Sequence, residues 1–180
     1  DEMLALGINT DFAPVLDVVG GPNPALEGRH LGSDPQVVAE LGLAFWRGLE
    51  LAGVVAVPKH FPGHGRAAAD PHNEVVRVAA PLADLRSVDF LPFAAAVAAG
   101  ARAIMVGHPI YESLDPDLPA SLSPAVLNLL RDDFGFGGVA ITDALNMPGV
   151  AVGRGPGELA VAALVAGEDL LLVISPAQVE

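Results

Sequence analysis

A chain of 180 residues with 52% hydrophobic side chains, a mean hydropathy of +0.48 and a formal charge of −13 is long enough for one domain with a sizeable core. That charge argues against a nucleic acid or an anionic membrane as partner, since either needs clustered Lys and Arg, and no apolar run reaches the ~18 residues of a membrane span. The absence of cysteine excludes disulfides and thiolate metal sites, and it fits a cytoplasmic protein without excluding a secreted one.

In chain order, the first residues enter structured-looking sequence with neither a signal peptide nor an initiating Met, so the N-terminus of the gene product is expected to lie upstream. The apolar run 8–17 predicts a strand. A helix follows, opening at Asp34-Pro35 and closing at Gly53, and then a second strand over 54–60. The segment 82–99, closed by Gly100, predicts a helix whose last section begins near Pro92. A third strand is expected over 103–108, and a helix runs from Ser123-Pro124 to Gly135. The strand 138–143, a helix with Pro156 in its first turn and Gly167 past its end, and the strand 169–174 complete the pattern. Pro at the start and Gly just beyond the end are the normal punctuation of a helix. The strands are continuous in Val, Ile, Leu and Ala instead of alternating, as expected for parallel strands covered on both faces. Strand and helix alternating in this way predict repeated βαβ units and a parallel α/β sheet.

Four of these strands end in ionisable groups: Asp17, the pair Lys59-His60, His108 and Asp143. Both a (β/α)₈ barrel and a doubly wound sheet place their sites at strand C-termini. No Gly-x-Gly-x-x-Gly follows a strand and no Gly-Lys-Ser/Thr occurs, so nucleotide binding lacks its fingerprints and the barrel is favoured.

Three segments carry candidate chemistry. Lys59-His60-Phe61-Pro62-Gly63-His64-Gly65 holds the only lysine and two of the five histidines. Pro62 and the glycines forbid a helix here, so His60 and His64 are not a helical metal-binding pair. Asp70-Pro71-His72 lies on a loop where an extended Asp70 can reach the His72 imidazole, an arrangement that tunes a histidine for proton transfer. Asp143 at a strand end suits a nucleophile, a metal ligand or a helix cap, and its own residue type does not choose among them.

Taken together, Ala13-Pro14-Val15-Leu16-Asp17, Gly28-Arg29-x-x-Gly32-Ser33-Asp34-Pro35, KHFPGHG, Asp70-x-His72, Leu91-Pro92-Phe93 and Ile141-Thr142-Asp143-Ala144-Leu145-Asn146-Met147 resemble the catalytic domain of family 3 β-N-acetylglucosaminidases over nearly the whole chain. The resemblance implies a (β/α)₈ TIM-type barrel and a retaining glycosidase with a covalent glycosyl-aspartate intermediate. It assigns Asp143 as nucleophile, His72 backed by Asp70 as acid/base, and Arg29, Lys59 and His60 as binders of the terminal sugar. No metal or organic cofactor is implied, and the partner is a carbohydrate containing N-acetylglucosamine, from peptidoglycan turnover in bacteria or from chitin.

The chain departs from the family pattern at Pro71, where Ser is usual, and at His30-Leu31, where Ser-Phe is usual. The family's Asp-x-Glu-Gly-Gly segment is absent. Residues 1–180 are therefore expected to be a single barrel domain truncated at both ends, holding about strands three to seven. Alternative readings are transfer of the glycosyl group to phosphate, a β-glucosidase of the same family, a metal-dependent barrel hydrolase built on His60, His64, His72 and Asp143, and a truncated barrel without activity.

Overall fold

The apolar runs form parallel strands because each is followed by a connection long enough to return the chain to the same end of the sheet. The computed structural model describes residues 2–67, 69, 73–151 and 153–174. In order, these form α1 (Glu2–Ala5), β1 (Thr10–Asp11), α2 (Pro35–Leu51), β2 (Val55–Ala56), β3 (Arg77–Val78), α3 (Leu82–Asp84), α4 (Leu91–Ala98), β4 (Ala103–Val106), β5 (Ile110–Tyr111), α5 (Pro124–Asn128), β6 (Val139–Ala144), α6 (Pro148–Ala151), α7 (Pro156–Ala166) and β7 (Leu170–Leu172).

β1 pairs with β2 from Thr10 opposite Val55, and β4 pairs with β6 from Ala103 opposite Val139 to Val106 opposite Thr142. β6 in turn carries β7 on its other side. Beyond Ala56 the chain moves across to β4: the Met105 amide donates to Pro58 O (3.0 Å) and the Phe61 amide to Met105 O (2.8 Å). The spatial order is thus β1, β2, β4, β6, β7, all parallel, with no closed barrel among the described residues.

The strand expected over 8–17 is regular only at Thr10–Asp11 and resumes as one bridge, Val15 to Lys59. Pro14 between them has no N–H to give to a ladder. The parallel pair β3–β5, Arg77 opposite Ile110, was not expected. Its strands have two residues each, too short for any periodic signal.

The helix expected to open at Asp34-Pro35 does so, with Asp34 Oδ1 accepting from the Gln36 and Val37 amides at 2.8 and 3.2 Å. Such a cap contributes about 1 kcal/mol. The segment 82–99 is not one helix: α3 and α4 are separated by a π turn over Leu85–Asp89, closed by the Phe90 amide on Leu85 O at 2.8 Å. The wider turn falls just before Pro92, which has no amide to continue the regular ladder.

The main core gathers Leu16, Phe61, Phe90, Phe93, Ile104, Val106 and Leu130. Phe61 stands edge-on to Phe93 and to Phe134, each at 5.5 Å between ring centres. Burying such a ring stabilises by about 1.5–3 kcal/mol. The third residue of the KHFPGHG run is thereby anchored beneath α4, leaving its neighbours to point elsewhere.

Among the described strands, β1 and β7 each have a partner on one side only, and Val161, Leu164 and Val165 of α7 are exposed beside β7. Open parallel edges flanked by apolar side chains recruit further strands. Expressed alone, the 180-residue chain is expected to self-associate, and light scattering should show mass above 18.4 kDa that falls toward that value when Val161 and Val165 are changed to Lys.

Glu168, between α7 and β7, is 4% exposed, and neither carboxylate oxygen has a hydrogen-bond partner among the described residues. Burial, with Asp169 adding to it and Arg131 opposing it, raises its pKa from 4.5 to about 9. Folding at pH 7 therefore takes up a proton at a cost of about 3 kcal/mol. Because the folded pKa is the higher one, this contribution to stability is complete below 4.5, declines with rising pH and is lost above about 9. Melting temperatures should fall between pH 5 and 9, and Glu168→Gln should flatten that slope.

Candidate active site

Three strand ends meet at the KHFPGHG run. Lys59 bonds sideways to the first, its amide to Pro14 O (3.0 Å) and its carbonyl from the Leu16 amide (2.6 Å). Phe61 bonds to the other side, accepting from the Gly107 amide at 2.9 Å. Between these anchors, the Gly63 amide turns back on His60 O (2.8 Å), and the buried Tyr111 hydroxyl donates to Gly63 O (2.8 Å). Gly65 passes so close to the backbone of Val18 that a Cβ would sit 1.9 Å from Val18 O, so only glycine is accommodated. The peptide bonds Lys59–His60 and Phe61–Pro62 are cis.

Asp17, fully buried, lies under this turn. Its Oδ1 accepts from the amides of His60 (3.2 Å) and His64 (2.6 Å), and its Oδ2 meets His60 Nδ1 at 2.8 Å. Burial by itself would raise its pKa, but His60, His64 and these hydrogen bonds outweigh it and hold the carboxyl below its ordinary value. An ionised carboxylate only accepts, so Nδ1 of His60 is the donor.

On its far side the His60 ring directs Nε2 toward Asp143, 4.0 Å from Oδ2. Asp143 is the penultimate residue of β6 with its side chain one-fifth exposed, while Thr142, facing the other way, is buried and accepts from the Leu172 amide at 2.9 Å. Asp143 Oδ1 accepts from the Ala144 amide (2.8 Å). Burial opposes its charge; His60, His108, the Ala144 amide and Lys59 prevail, and the pKa is lowered. Beneath, His108 Nε2 donates to Ala144 O (3.1 Å) while Nδ1 meets the Ser121 hydroxyl at 2.7 Å. Asn146 Oδ1 accepts from the Ile174 amide at 3.0 Å. Thr142 and Asn146 thus hold β7, leaving Asp143 as the member of that motif presented to the site.

Lys59 is half-buried. Burial pushes its ammonium below the ordinary value, Asp143 opposes that and Arg29 adds to it, which places the two cations and the carboxylate in one electrostatic neighbourhood. Arg29 is exposed and its guanidinium donates to Ala25 O.

The structure therefore brings Lys59, His60 and Asp143 together at the strand ends, with Arg29 within electrostatic reach of Lys59, whereas Asp70 and His72 lie outside the described residues. Asp17 and His108 were visible in the sequence as strand-end polar groups without a role. Their contacts supply one: Asp17 holds the His60 ring, and His108 holds Ala144 O next to Asp143. Among the described residues no set of three or more His, Asp or Glu is placed to hold a metal ion, and no helix is long and apolar enough to cross a membrane. A cavity of about 600 Å³ lies between α4 and the 129–133 turn, lined by Phe90, Leu91, Ala94 and Phe134. It contains none of the strand-end charges, so charge and not volume locates the site.

Two cations, a histidine and one ionised carboxylate at parallel strand ends mark an α/β domain with a polar face at its strand C-termini. The chain matches the glycosyl hydrolase family 3 N-terminal domain over residues 1–180 and belongs to that family, whose N-terminal domain is of TIM-barrel type. It is 39% identical over 180 residues to a β-hexosaminidase of Stenotrophomonas maltophilia, covering 99% of this chain and 53% of that protein. A β-hexosaminidase of Tolumonas auensis is 44% identical over 173 residues, covering 95% and 51%. The family 3 β-N-acetylglucosaminidase of a Paenibacillus species superposes with a TM-score of 0.93 at 42% identity, covering 96% of this chain and 33% of that one. The chain spans about half the length of the curated relatives it matches.

Proposed function

We propose that this domain forms the catalytic face of a retaining exo-glycosidase that releases terminal β-linked N-acetylglucosamine, and that it supplies strands three to seven of a (β/α)₈ barrel. The observation that supports it most is Asp143: a carboxylate at a strand end, kept ionised by its neighbours, with His60 Nε2 4.0 Å away and Lys59 nearby. Kinship with proteins named β-hexosaminidase and β-N-acetylglucosaminidase supports the choice of sugar. The bacterial relatives fit peptidoglycan fragments as its source, with chitin-derived oligosaccharides as the alternative.

In the first half-reaction an Asp143 oxygen attacks the anomeric carbon. The glycosidic C–O bond breaks, and the departing oxygen takes a proton from His72. In the second, His72 removes a proton from water as the water oxygen attacks the same carbon, releasing Asp143. Asp70 holds the His72 ring and stabilises its cationic form. Arg29, Lys59 and His60 hold the sugar hydroxyls, and Lys59 keeps Asp143 charged for attack.

In the complete protein, Asp143→Asn should abolish turnover of an aryl β-N-acetylglucosaminide by several orders of magnitude without changing the fold, as read by circular dichroism. Near-normal kcat would refute the assignment. His72→Ala should slow substrates with poor leaving groups far more than activated aryl glycosides, because only the former need protonation. Azide should partly restore the second half-reaction, and Asp70→Asn should show a milder form of the same pattern. Equal losses on both substrate types would make His72 a binding residue.

A further inference from the structure

Asp17 makes two kinds of contact with separate oxygens. Oδ1 holds the backbone of the turn through the His60 and His64 amides, and Oδ2 alone meets the His60 ring. The side chain is wholly buried, so it is screened from any ligand, and His60 is itself only 6% exposed. The ring is clamped between Asp17 at Nδ1 and Asp143 beyond Nε2.

We infer that Asp17 is a positioning residue for the sugar site: it keeps a proton on His60 Nδ1 and thereby sets both the direction and the hydrogen-bonding character of Nε2 toward Asp143 and the bound sugar. A histidine's second nitrogen is defined by what its first one bonds, and an acceptor-only carboxylate at Nδ1 leaves no alternative to a donor there. The inference rests on the reading of His60 and Asp143 as the sugar-facing pair.

The division of labour between the two oxygens allows a clean test. Asp17→Asn can keep Oδ1 on both amides while replacing Oδ2 by an NH₂ group, which donates to Nδ1 and forces the ring proton onto Nε2. The turn survives and the imidazole is inverted. The complete protein, labelled with ¹⁵N-histidine and assigned with His60→Ala, should show His60 Nδ1 protonated in the native form and unprotonated in Asp17→Asn. In the same variant kcat/KM for an aryl β-N-acetylglucosaminide should fall roughly 10- to 100-fold, the usual scale for losing an outer partner of a functional histidine. On a His60→Ala background, adding Asp17→Asn should change kcat/KM less than about 2-fold, because the residue through which it acts is gone.

An unprotonated Nδ1 in the native protein, an unchanged Nδ1 in the variant, or a full loss retained on the His60→Ala background each overturn the inference. A merely structural Asp17 gives the last result. If Asp17→Asn does not fold, the native nitrogen shifts alone decide. A native protein that hydrolyses no glycoside defeats the glycosidase reading, and the nitrogen shifts still test the hold of Asp17 on His60.

Discussion

A single buried carboxylate ties the candidate site together. Asp17 gathers two backbone amides and an imidazole from a turn that sequence places more than 40 residues away. Removing a charge from water is costly, and the cost is offset only when the charge is well hydrogen-bonded. Three donors at 2.6–3.2 Å meet that condition and hold the carboxyl ionised. The consequence is a rigid Lys59-to-Gly65 turn whose polar groups have fixed directions without being held by the ligand.

Around that anchor the parallel sheet does the sorting. Parallel strands must all run the same way, so their C-terminal residues come to one rim whatever their separation in sequence. Lys59 and Asp143, 84 positions apart by number, become electrostatic neighbours on that account. The hydrophobic side of the same turn is equally constrained. Phe61 enters the core among Phe90, Phe93 and Phe134, which leaves Lys59 and His60 on the polar side.

The charges at the rim are balanced against burial. Asp143 loses water but gains His60, His108, Lys59 and an amide, and stays an anion. Lys59 loses water and faces Arg29, which eases its proton, while Asp143 retains it. Glu168 at the opposite ends of the strands has lost water with no hydrogen-bond partner for either oxygen among the described residues, and its pKa rises to about 9. Two carboxyls withdrawn from water thus reach opposite protonation states because, among the described residues, one finds donors and the other does not. That difference is tertiary.

The features that could be read from the residues alone follow from local physics. Apolar runs, Pro35, Pro124 and Pro156 at helix starts and Gly167 at a helix end specify the alternation of strand and helix, and hence which polar residues fall at strand ends. Lys59, His60 and Asp143 were legible as strand-end groups for the same reason, whereas Arg29 was singled out only by its family motif. Local pattern could not see the π turns before Phe90 and Phe134, the two-residue β3–β5 pair, or the interruption of the first strand at Pro14, because each depends on distant packing or on a ladder too short to have a period. Nor could it give Asp17 and His108 their roles. Both look like ordinary strand-end polar groups until the fold sets Asp17 under the His60 ring and His108 under Ala144. Residue type and spacing determine which groups are available; only the tertiary structure decides which of them bond to one another, since those bonds join segments that share no local neighbourhood in the chain.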